Sequence, residues 1–220
     1  MIAAKADGQG SDKETRNLKG LKTIGFGIPG DLEIRIGPTY SVVLEGNKND
    51  LREVITEISG EKLQIKMDRW NFNFDDKVNV YITMPEIEGL GVSGSGKATI
   101  TDKIVDVDQL NLSVSGSGRI YTSYVEADEL KCGISGSGNI NLGEGNADSG
   151  EISISGSGNY SGESFEIDHL TVSVSGSGNC TCKAGDSLKA TVSGSGNVYY
   201  NGEPNVDARV SGSGHVRQAR

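Results

Sequence analysis

The chain has little of several residue types that define common protein classes. Of its 220 residues only 4 are proline, 3 cysteine and 2 histidine, and 12 are aromatic (1 Trp, 7 Tyr, 4 Phe). The 21 basic residues are outnumbered by 30 acidic ones, so the formal net charge is −9. That charge argues against nucleic acid and anionic membrane surfaces as partners, since both need a basic footprint. No apolar run approaches the roughly 20 residues that a membrane-spanning helix needs.

Glycine is the abundant residue, and it is periodic. Its 32 copies are about 15% of the chain, roughly twice the usual share. Flexible linkers are also rich in glycine and serine, but they do not recur at a nearly constant interval. Here Ser-Gly-Ser-Gly begins at seven positions, spaced by 22, 20, 20, 20, 18 and 18 residues: Ser93, Ser115, Ser135, Ser155, Ser175, Ser193 and Ser211. A period near 20 is typical of a solenoid in which each repeat forms one coil.

Apolar residues occupy fixed places in this repeat. Counted from the first glycine of each tetrapeptide, positions −4, −2 and +4 are apolar or small, whereas the odd positions hold Ser, Asn and charged residues. Alternation with period two predicts β-strands with one buried face. The two glycines share the buried parity, so they lie where the coil is too narrow for a side chain or bends through angles that only glycine tolerates. The fold class expected for residues 91–218 is an all-β, right-handed parallel β-helix of about seven coils.

The chain before the first tetrapeptide is also β-like but irregular. Period-two alternation predicts strands over Leu32–Ile36, Tyr40–Leu44, Lys62–Met67 and Val78–Met84. We expect residues 18–90 to form strands that open or cap the helix, with a separate small β domain as the alternative. A short helical turn is expected within Asp50–Glu57, and residues 1–17 are expected to be a polar tail. The first residues lack the basic and apolar regions of an export signal, so a mature fragment is expected.

The repeat and one upstream segment resemble a known family. They are Ser-Gly-Ser-Gly-Asn-Ile at 135–140, its variants at 117–120 and 195–198, and Val-Tyr-Ile-Thr-Met-Pro at 80–85. They resemble the putative auto-transporter adhesin, head GIN domain family of bacterial envelope proteins, over roughly residues 18–218. The resemblance implies a pectin-lyase-like β-helix, export to the cell envelope or beyond it, a role in adhesion, and no catalytic set.

The cysteines give a candidate metal or redox site. Cys132, Cys180 and Cys182 all occupy buried-parity positions, and an odd number cannot pair completely within the chain. Cys180-Thr-Cys182 is not a zinc-type CxxC, and no second cysteine pair or histidine completes a tetrahedral site. The sequence therefore predicts buried free thiols that act as small hydrophobic residues.

An acidic column gives a candidate metal site. Aspartate recurs eight residues before the first glycine, at Asp108, Asp128, Asp148, Asp168 and Asp186. Carboxylates stacked at strand spacing repel one another unless they are hydrogen-bonded or bind a cation such as calcium. The alternative, which we favour, is that each caps its corner by accepting a backbone N–H in an Asx turn. No other cofactor is expected.

Catalytic patterns are weak. The Gly-x-Ser-x-Gly elbow is absent, and the two histidines, His169 and His215, fall in different coils without a serine or cysteine partner unique to either. Paired carboxylates such as Asp106 and Asp108 could form a glycan-cleaving site, but similar pairs recur from coil to coil, as a scaffold requires and an active site does not. We therefore expect a non-enzyme, with a carbohydrate-active β-helix enzyme (a polysaccharide lyase or hydrolase) as the alternative.

The repeated polar residues are the candidate binding surface. One row holds Asn139, Asn159, Asn179 and Asn197, and another holds Ser115, Ser135, Ser155 and Ser175. They are expected either to bind a glycan or protein ligand through many weak contacts or to hydrogen-bond to one another and stiffen the coil. Trp70, Phe72 and Phe74 could stack on sugars, or else cover an open end of the helix. Pairing of sister molecules through coil edges or ends is a further expectation.

Overall fold

Strands fill most of the chain in the computed structural model, which describes residues 11–67 and 77–219. Within those ranges there are sixteen β-strands and one short helix, α1 (Lys48–Glu53), and the strands form one continuous sheet. The predicted all-β solenoid is confirmed, with about six turns rather than seven coils. The strands are β1 (Asp12–Arg16), β2 (Thr23–Phe26), β3 (Gly30–Ile36), β4 (Ser41–Gly46), β5 (Val54–Ser59), β6 (Lys62–Met67), β7 (Val78–Met84), β8 (Gly89–Gly94), β9 (Lys97–Gly116), β10 (Arg119–Gly136), β11 (Asn139–Gly156), β12 (Asn159–Gly176), β13 (Asn179–Gly194), β14 (Asn197–Asn201), β15 (Asn205–Gly212) and β16 (His215–Gln218).

The long strands β9 to β13 each form one coil, and neighbouring coils pair in parallel. The register joins equivalent repeat positions, so Ile134 lies opposite Ile154 and Ile154 opposite Val174. In a parallel ladder every coil hydrogen-bonds to the coils on both sides, so the stack forms as a unit. None of the described helices is long and apolar enough to span a bilayer.

The coil lengths differ, and the differences are absorbed on the side of the coil away from the tetrapeptide. Between β9 and β10 the register shifts at Thr122/Tyr124 and Val125/Ala127, and between β12 and β13 it shifts around residues 162–169. These are the places where the spacing changes from 22 to 20 and from 20 to 18. The face that carries the tetrapeptides therefore keeps its register from coil to coil.

The apolar columns form the core. The position two residues before the first glycine is at most 2% exposed in six coils, at Val92, Val114, Ile134, Ile154, Val174 and Val192. Burial of each such side chain contributes about 1.5–3 kcal/mol. Phe165 and Ile167, both fully buried, fill the core from the irregular side of the coil.

The two glycines of the tetrapeptide have different structural roles. The first adopts a positive φ, 116° at Gly136, and a Cβ there would lie 2.6 Å from the carbonyl oxygen of Gly116 in the preceding coil. The second meets a steric limit: a Cβ at Gly138 would lie 2.5 Å from the oxygen of Gly118 and 2.3 Å from Val114 Cγ1. The sequence offered two explanations for these glycines, and both apply. The first glycine lies at a bend that favours glycine and has no room for a side chain, whereas at the second only the lack of room matters.

The coils at the N-terminal end do not follow chain order. Strand β2 pairs in parallel with both β6 and β8, and β3 pairs with both β7 and β9. The coil formed by β2 and β3 therefore lies between the β6–β7 coil and the β8–β9 coil. Antiparallel strands β4, β1 and β5 then close this end, with α1 placing Leu51 in the core.

Part of the segment expected to be a polar tail is a strand. Strand β1 pairs antiparallel with β4, whose outer edge would otherwise leave backbone groups unpaired. Glu45 on β4 accepts a hydrogen bond from Ser11 Oγ (2.9 Å) and lies 3.5 Å from Lys13 Nζ. Strand β1 consists of polar residues, so the sequence shows no apolar alternation there that would predict a strand. The predicted helical turn is present as α1, two residues earlier than expected.

Candidate binding surface

The asparagine row forms a hydrogen-bonded ladder. Asn159 Nδ2 donates to Asn139 Oδ1 (3.0 Å), Asn179 Nδ2 to Asn159 Oδ1 (3.1 Å), and Asn197 Nδ2 to Asn179 Oδ1 (2.9 Å). The backbone N–H of Asn179 also donates to Asn159 Oδ1 (3.3 Å). An amide has two N–H donors and two acceptor lone pairs, so an Asn inside the ladder keeps one side-chain N–H for another partner. The asparagines thus hydrogen-bond to one another, and each inner amide retains one N–H that can donate to a ligand.

Substitution inside the ladder is expected to cost more stability than substitution at its end. Asn159→Ala breaks the bonds to both neighbouring asparagines, whereas Asn197→Ala breaks one. With about 0.5–1.5 kcal/mol for each hydrogen bond, Asn159→Ala should lower the free energy of unfolding by roughly 1–3 kcal/mol and Asn197→Ala by about half as much. Urea unfolding followed by circular dichroism measures both. Equal losses, or none, would contradict a stabilising ladder.

Serine and threonine hydroxyls cover the strand face that precedes this ladder in each coil. The position before the first glycine carries Ser115, Ser135, Ser155, Ser175 and Ser193, and two residues earlier the face carries Ser113, Ser153, Ser173 and Thr191. All nine side chains are exposed, and none has a hydrogen-bond partner within the part of the chain that the structure describes. Adjacent strands lie about 4.8 Å apart. These nine residues, here named the hydroxyl face, form a flat, uncharged grid.

The cysteines belong to the core, as predicted. Cys132, Cys180 and Cys182 are free thiols and at most 3% exposed. Burial raises the pKa of the Cys132 and Cys180 thiols, because the thiolate would lose its hydration. Burial likewise raises the pKa of Tyr160, whose hydroxyl has no hydrogen-bond partner among the described residues. Folding therefore disfavours ionisation of Cys132, Cys180 and Tyr160.

The acidic column is a row of solvent-facing carboxylates. Asp108, Asp128, Asp148 and Asp186 are exposed and Asp168 is half-buried. All five lie within extended strands β9 to β13, and no backbone N–H of the described residues donates to them, so the expected Asx turns do not form. Each of the five falls between two register pairs, so none has a residue directly opposite it in the neighbouring coil. Within the described ranges, no three His, Cys, Asp or Glu side chains converge closely enough to hold a metal ion.

An irregular groove of about 450 Å³ lies beside one end of this column. Its charged lining is Lys22, Glu86, Glu88, Lys103, Asp106 and Asp108. Lys22 Nζ contacts Glu88 Oε1 (2.8 Å) and Glu86 Oε1 (3.3 Å), and these carboxylates raise the pKa of the lysine. Asp106 adopts a positive φ of 56°, a strained conformation for a residue with a side chain. The groove is the place where the 22-residue coil departs from the regular repeat.

A Ser–His–Asp contact that sequence reasoning missed joins β12 and β13. His169 Nδ1 lies 3.1 Å from Ser187 Oγ, and its Nε2 lies 4.0 Å from Asp186 Oδ2. The register places His169 opposite Ser187. Each lies seven residues before the first glycine of its own tetrapeptide, and this equal spacing in the sequence could have predicted the contact. The His169 and Asp186 side chains are 63% and 73% exposed. In a catalytic triad the carboxylate is buried and bonds to the histidine Nδ1, and the serine bonds to Nε2. Here the carboxylate is exposed and the two nitrogens have exchanged partners, so this contact is a polar cluster on the surface.

Two other predicted elements have different outcomes. Trp70, Phe72 and Phe74 lie outside the described residues. His215 lies on β16 and pairs with Asn197 at the end of the asparagine row.

Solved structures similar to this chain support the same architecture. A putative adhesin from Bacteroides fragilis NCTC 9343 aligns with a TM-score of 0.86 at 22% identity, covering 95% of this chain and 97% of its own. A putative adhesin from Parabacteroides distasonis ATCC 8503 aligns with a TM-score of 0.75 at 24% identity, covering 96% and 98%. A protein from the same organism described as a putative lipid binding protein aligns with a TM-score of 0.77 at 20% identity, covering 97% and 98%. At these identities the likeness shows the fold.

Comparison with curated proteins gives no match. Comparison with family models gives a match over residues 21–204, which includes the N-terminal coils and six of the seven tetrapeptides. The chain therefore belongs to the family described as putative auto-transporter adhesin, head GIN domain.

Proposed function

We propose that this chain is a non-enzymatic adhesin, exported to the cell envelope, that binds a neutral glycan chain along the hydroxyl face. The family description supports adhesion and export. The asparagine ladder follows four residues later in each coil, beyond the second serine of the tetrapeptide, and supplies additional amide donors. Calcium is proposed only as an optional ligand of Asp108, Asp128, Asp148, Asp168 and Asp186, outside this face.

The observation that carries the proposal is the contrast between two polar rows of the same coils. The asparagine amides are hydrogen-bonded to one another, whereas the nine hydroxyls of the hydroxyl face have no partner among the described residues. A hydroxyl both donates and accepts, so a row of them can match the donors and acceptors of sugar hydroxyls. The nine residues of the hydroxyl face carry no charge, and the nearest charges on the same strand face are Lys131, Glu151 and Lys189, two residues earlier. A neutral ligand that stays on the nine residues therefore buries no ion.

Repetition supplies the affinity that single contacts lack. Each hydrogen bond contributes about 0.5–1.5 kcal/mol net, too little to hold one sugar tightly. A polymer that engages several coils binds the later ones at high effective concentration. The rigid sheet keeps the hydroxyls at fixed spacing, so little ordering is needed on binding. The expected ligand is therefore a long chain with repeated hydroxyl groups rather than a monosaccharide.

The test is a glycan and matrix-protein array probed with the full chain, with and without calcium, followed by variants. Replacing Ser135, Ser155 and Ser175 together by alanine should weaken binding of the captured polysaccharide at least tenfold, since three contacts are removed from adjacent coils. The matched control replaces Asp128, Asp148 and Asp168 by asparagine in the same three coils. Loss of binding in the control, together with a need for calcium, would transfer the site to the acidic column. Retention in the serine variant would contradict the proposal.

The groove beside Asp106 favours a second candidate function, hydrolysis or elimination on a polysaccharide. Acidic and basic side chains meet there at the one non-glycine residue with positive φ among those described. Such a strained position is common at active sites. Turnover of a polysaccharide that is abolished by Asp108→Asn would support this candidate, and its absence on the captured ligand would exclude it for that ligand.

A further inference from the structure

The two ends of the solenoid are finished differently. At the N-terminal end the edge strand β1 carries four charged residues among five, a composition that discourages pairing with another chain. At the other end β15 pairs with β13 and β16 with β14, and within the described residues nothing covers their outer edges. Every residue of β15 is exposed. The terminal coil thus presents a free edge of backbone N–H and C=O groups.

The exposed edge is also apolar. Val206, Ala208 and Val210 continue the buried columns, because they lie opposite Leu188, Ala190 and Val192 of the preceding coil. Yet Val206 is 42% exposed and Val210 45% exposed, whereas Leu188 and Val192 are at most 1% exposed. Within the described residues, no further coil packs against the inward side chains of the coil formed by β15 and β16.

We infer that this end pairs with the same end of a second copy of the chain, through antiparallel β15–β15 pairing about a two-fold axis at Ala208. In that register Ala208 faces its own copy, Val206 faces the partner's Val210, and Asp207 faces the partner's Arg209. Backbone edges of both copies are then satisfied, and the two apolar columns join. The pairing is isologous, so it closes at a dimer.

Charge and parity select this register over its neighbours. A shift by one residue would turn apolar side chains of one copy toward the polar face of the other. A shift of the axis to position 207 would place Asp207 opposite Asp207, and a shift to position 209 would place Arg209 opposite Arg209. Directly opposed like charges on antiparallel strands destabilise pairing. Only an axis at Ala208 gives two opposite-charge pairs and a continuous apolar face.

The local charge permits the approach of two acidic molecules. The whole chain carries −9, but residues 201–219 contain two acids, Glu203 and Asp207, and two arginines, Arg209 and Arg217. In the single chain Arg209 Nε lies 3.9 Å from Asp207 Oδ1, with side chains 75% and 60% exposed. Both groups are therefore accessible to a partner, and salt at about 0.15 M screens the more distant charges beyond roughly 8 Å.

Sedimentation velocity and light scattering across a hundredfold range of protein concentration test the inference. The full chain should shift from monomer to a dimer of twice the mass, with no larger species. Asp207→Arg places two arginines opposite each other and should weaken dimerisation at least tenfold. The double variant Asp207→Arg, Arg209→Asp restores opposite charges across the axis and should recover the dimer. Circular dichroism confirms that each variant is folded.

A cysteine at the axis tests the register independently. Directly opposite residues of an antiparallel pair have Cβ atoms about 4.5–5.5 Å apart. The lower end of that range meets the about 3.5–4.5 Å of a disulfide, so a small strand movement brings two cysteines into bonding distance. Ala208→Cys should therefore give a disulfide-linked dimer under mild oxidation, and the native cysteines, which are buried, should not. A matched variant at the capped end, Thr15→Cys, should remain monomeric on reducing-agent-free gels. Monomer at every concentration, a dimer unaffected by Asp207→Arg, or no cross-link at position 208 would overturn the inference.

Discussion

Gly158→Ala is expected to destabilise the solenoid by more than about 3 kcal/mol. Its backbone φ is not in the left-handed region, so the cost is steric. A Cβ there would lie 2.3 Å from the carbonyl oxygen of Gly138 and 2.5 Å from Ile134 Cγ2. Neither contact can relax easily, because the oxygen belongs to the backbone of the preceding coil and the isoleucine is in the core. Overpacking of this kind costs typically 1–3 kcal/mol, and displaced strand pairing adds to it.

Gly156→Ala should be at least as damaging, for two reasons. The residue has φ of 118°, and a Cβ would lie 2.5 Å from the oxygen of Gly136. Substitution therefore combines backbone strain of about 1–3 kcal/mol with the steric clash. The chain offers matched controls that separate the two terms. Gly94 has φ of 87° with nothing near a Cβ, and Gly133 has neither a positive φ nor a near neighbour.

The four alanine variants form one series. We expect Gly133→Ala to be neutral or to stabilise by up to about 1 kcal/mol through the unfolded state, Gly94→Ala to cost about 1–3 kcal/mol, and Gly158→Ala and Gly156→Ala to cost more. Urea unfolding with a constant m-value gives the ranking. If Gly158→Ala were as stable as Gly133→Ala, the close approach of successive coils would be refuted.

The regular coils were predictable because one physical rule, repeated, fixes each residue's environment. Period-two alternation assigns Ile134 and Cys132 to the interior, and equal spacing makes Asn139 and Asn159 neighbours on adjacent coils. Both outcomes follow from parallel stacking in register. The hydroxyl face follows by the same reasoning, although only the structure distinguishes hydroxyls without partners from amides that bond to each other.

The N-terminal coils could not be ordered from sequence, for a physical reason. Strands β2, β3, β6 and β7 have no tetrapeptide to mark their register, and apolar alternation states which face is buried but not which strand lies beside it. The structure inserts the β2–β3 coil between two later ones. The predicted Asx turns are absent because the acidic column stays within the strands, between two register pairs of each ladder, and no backbone N–H of the described residues donates to its carboxylates.

Stability is expected to fall steeply above pH 9. Burial raises the pKa of Cys132, Cys180 and Tyr160 above their ordinary values of 9.0 for a thiol and 10.0 for a phenol. The unfolded chain therefore releases protons that the folded chain retains, so it binds fewer protons and the free energy of unfolding decreases as pH rises. Each group contributes about 1.4 kcal/mol per pH unit once it ionises in the unfolded state. Between pH 9 and 11 the three groups together should remove about 6 kcal/mol, a large share of a typical domain's 5–15 kcal/mol.

Urea unfolding between pH 7 and 11 measures this slope. Lysines and exposed groups also titrate in that range, so the decisive quantity is the difference from a variant in which the three groups cannot ionise. Cys132→Val, Cys180→Val and Tyr160→Phe together keep apolar side chains in the same columns, and Val198 already occupies the place after Cys180 in the next coil. The variant has its own stability at pH 7, but its decline toward pH 11 should be shallower by about the same 6 kcal/mol. Tyr160→Phe alone should flatten only the part above pH 10, since the phenol ionises last in the unfolded chain. Parallel declines in the parent and the triple variant would show that these groups ionise as easily in the folded chain as in the unfolded one, and that the interior between the coils admits water.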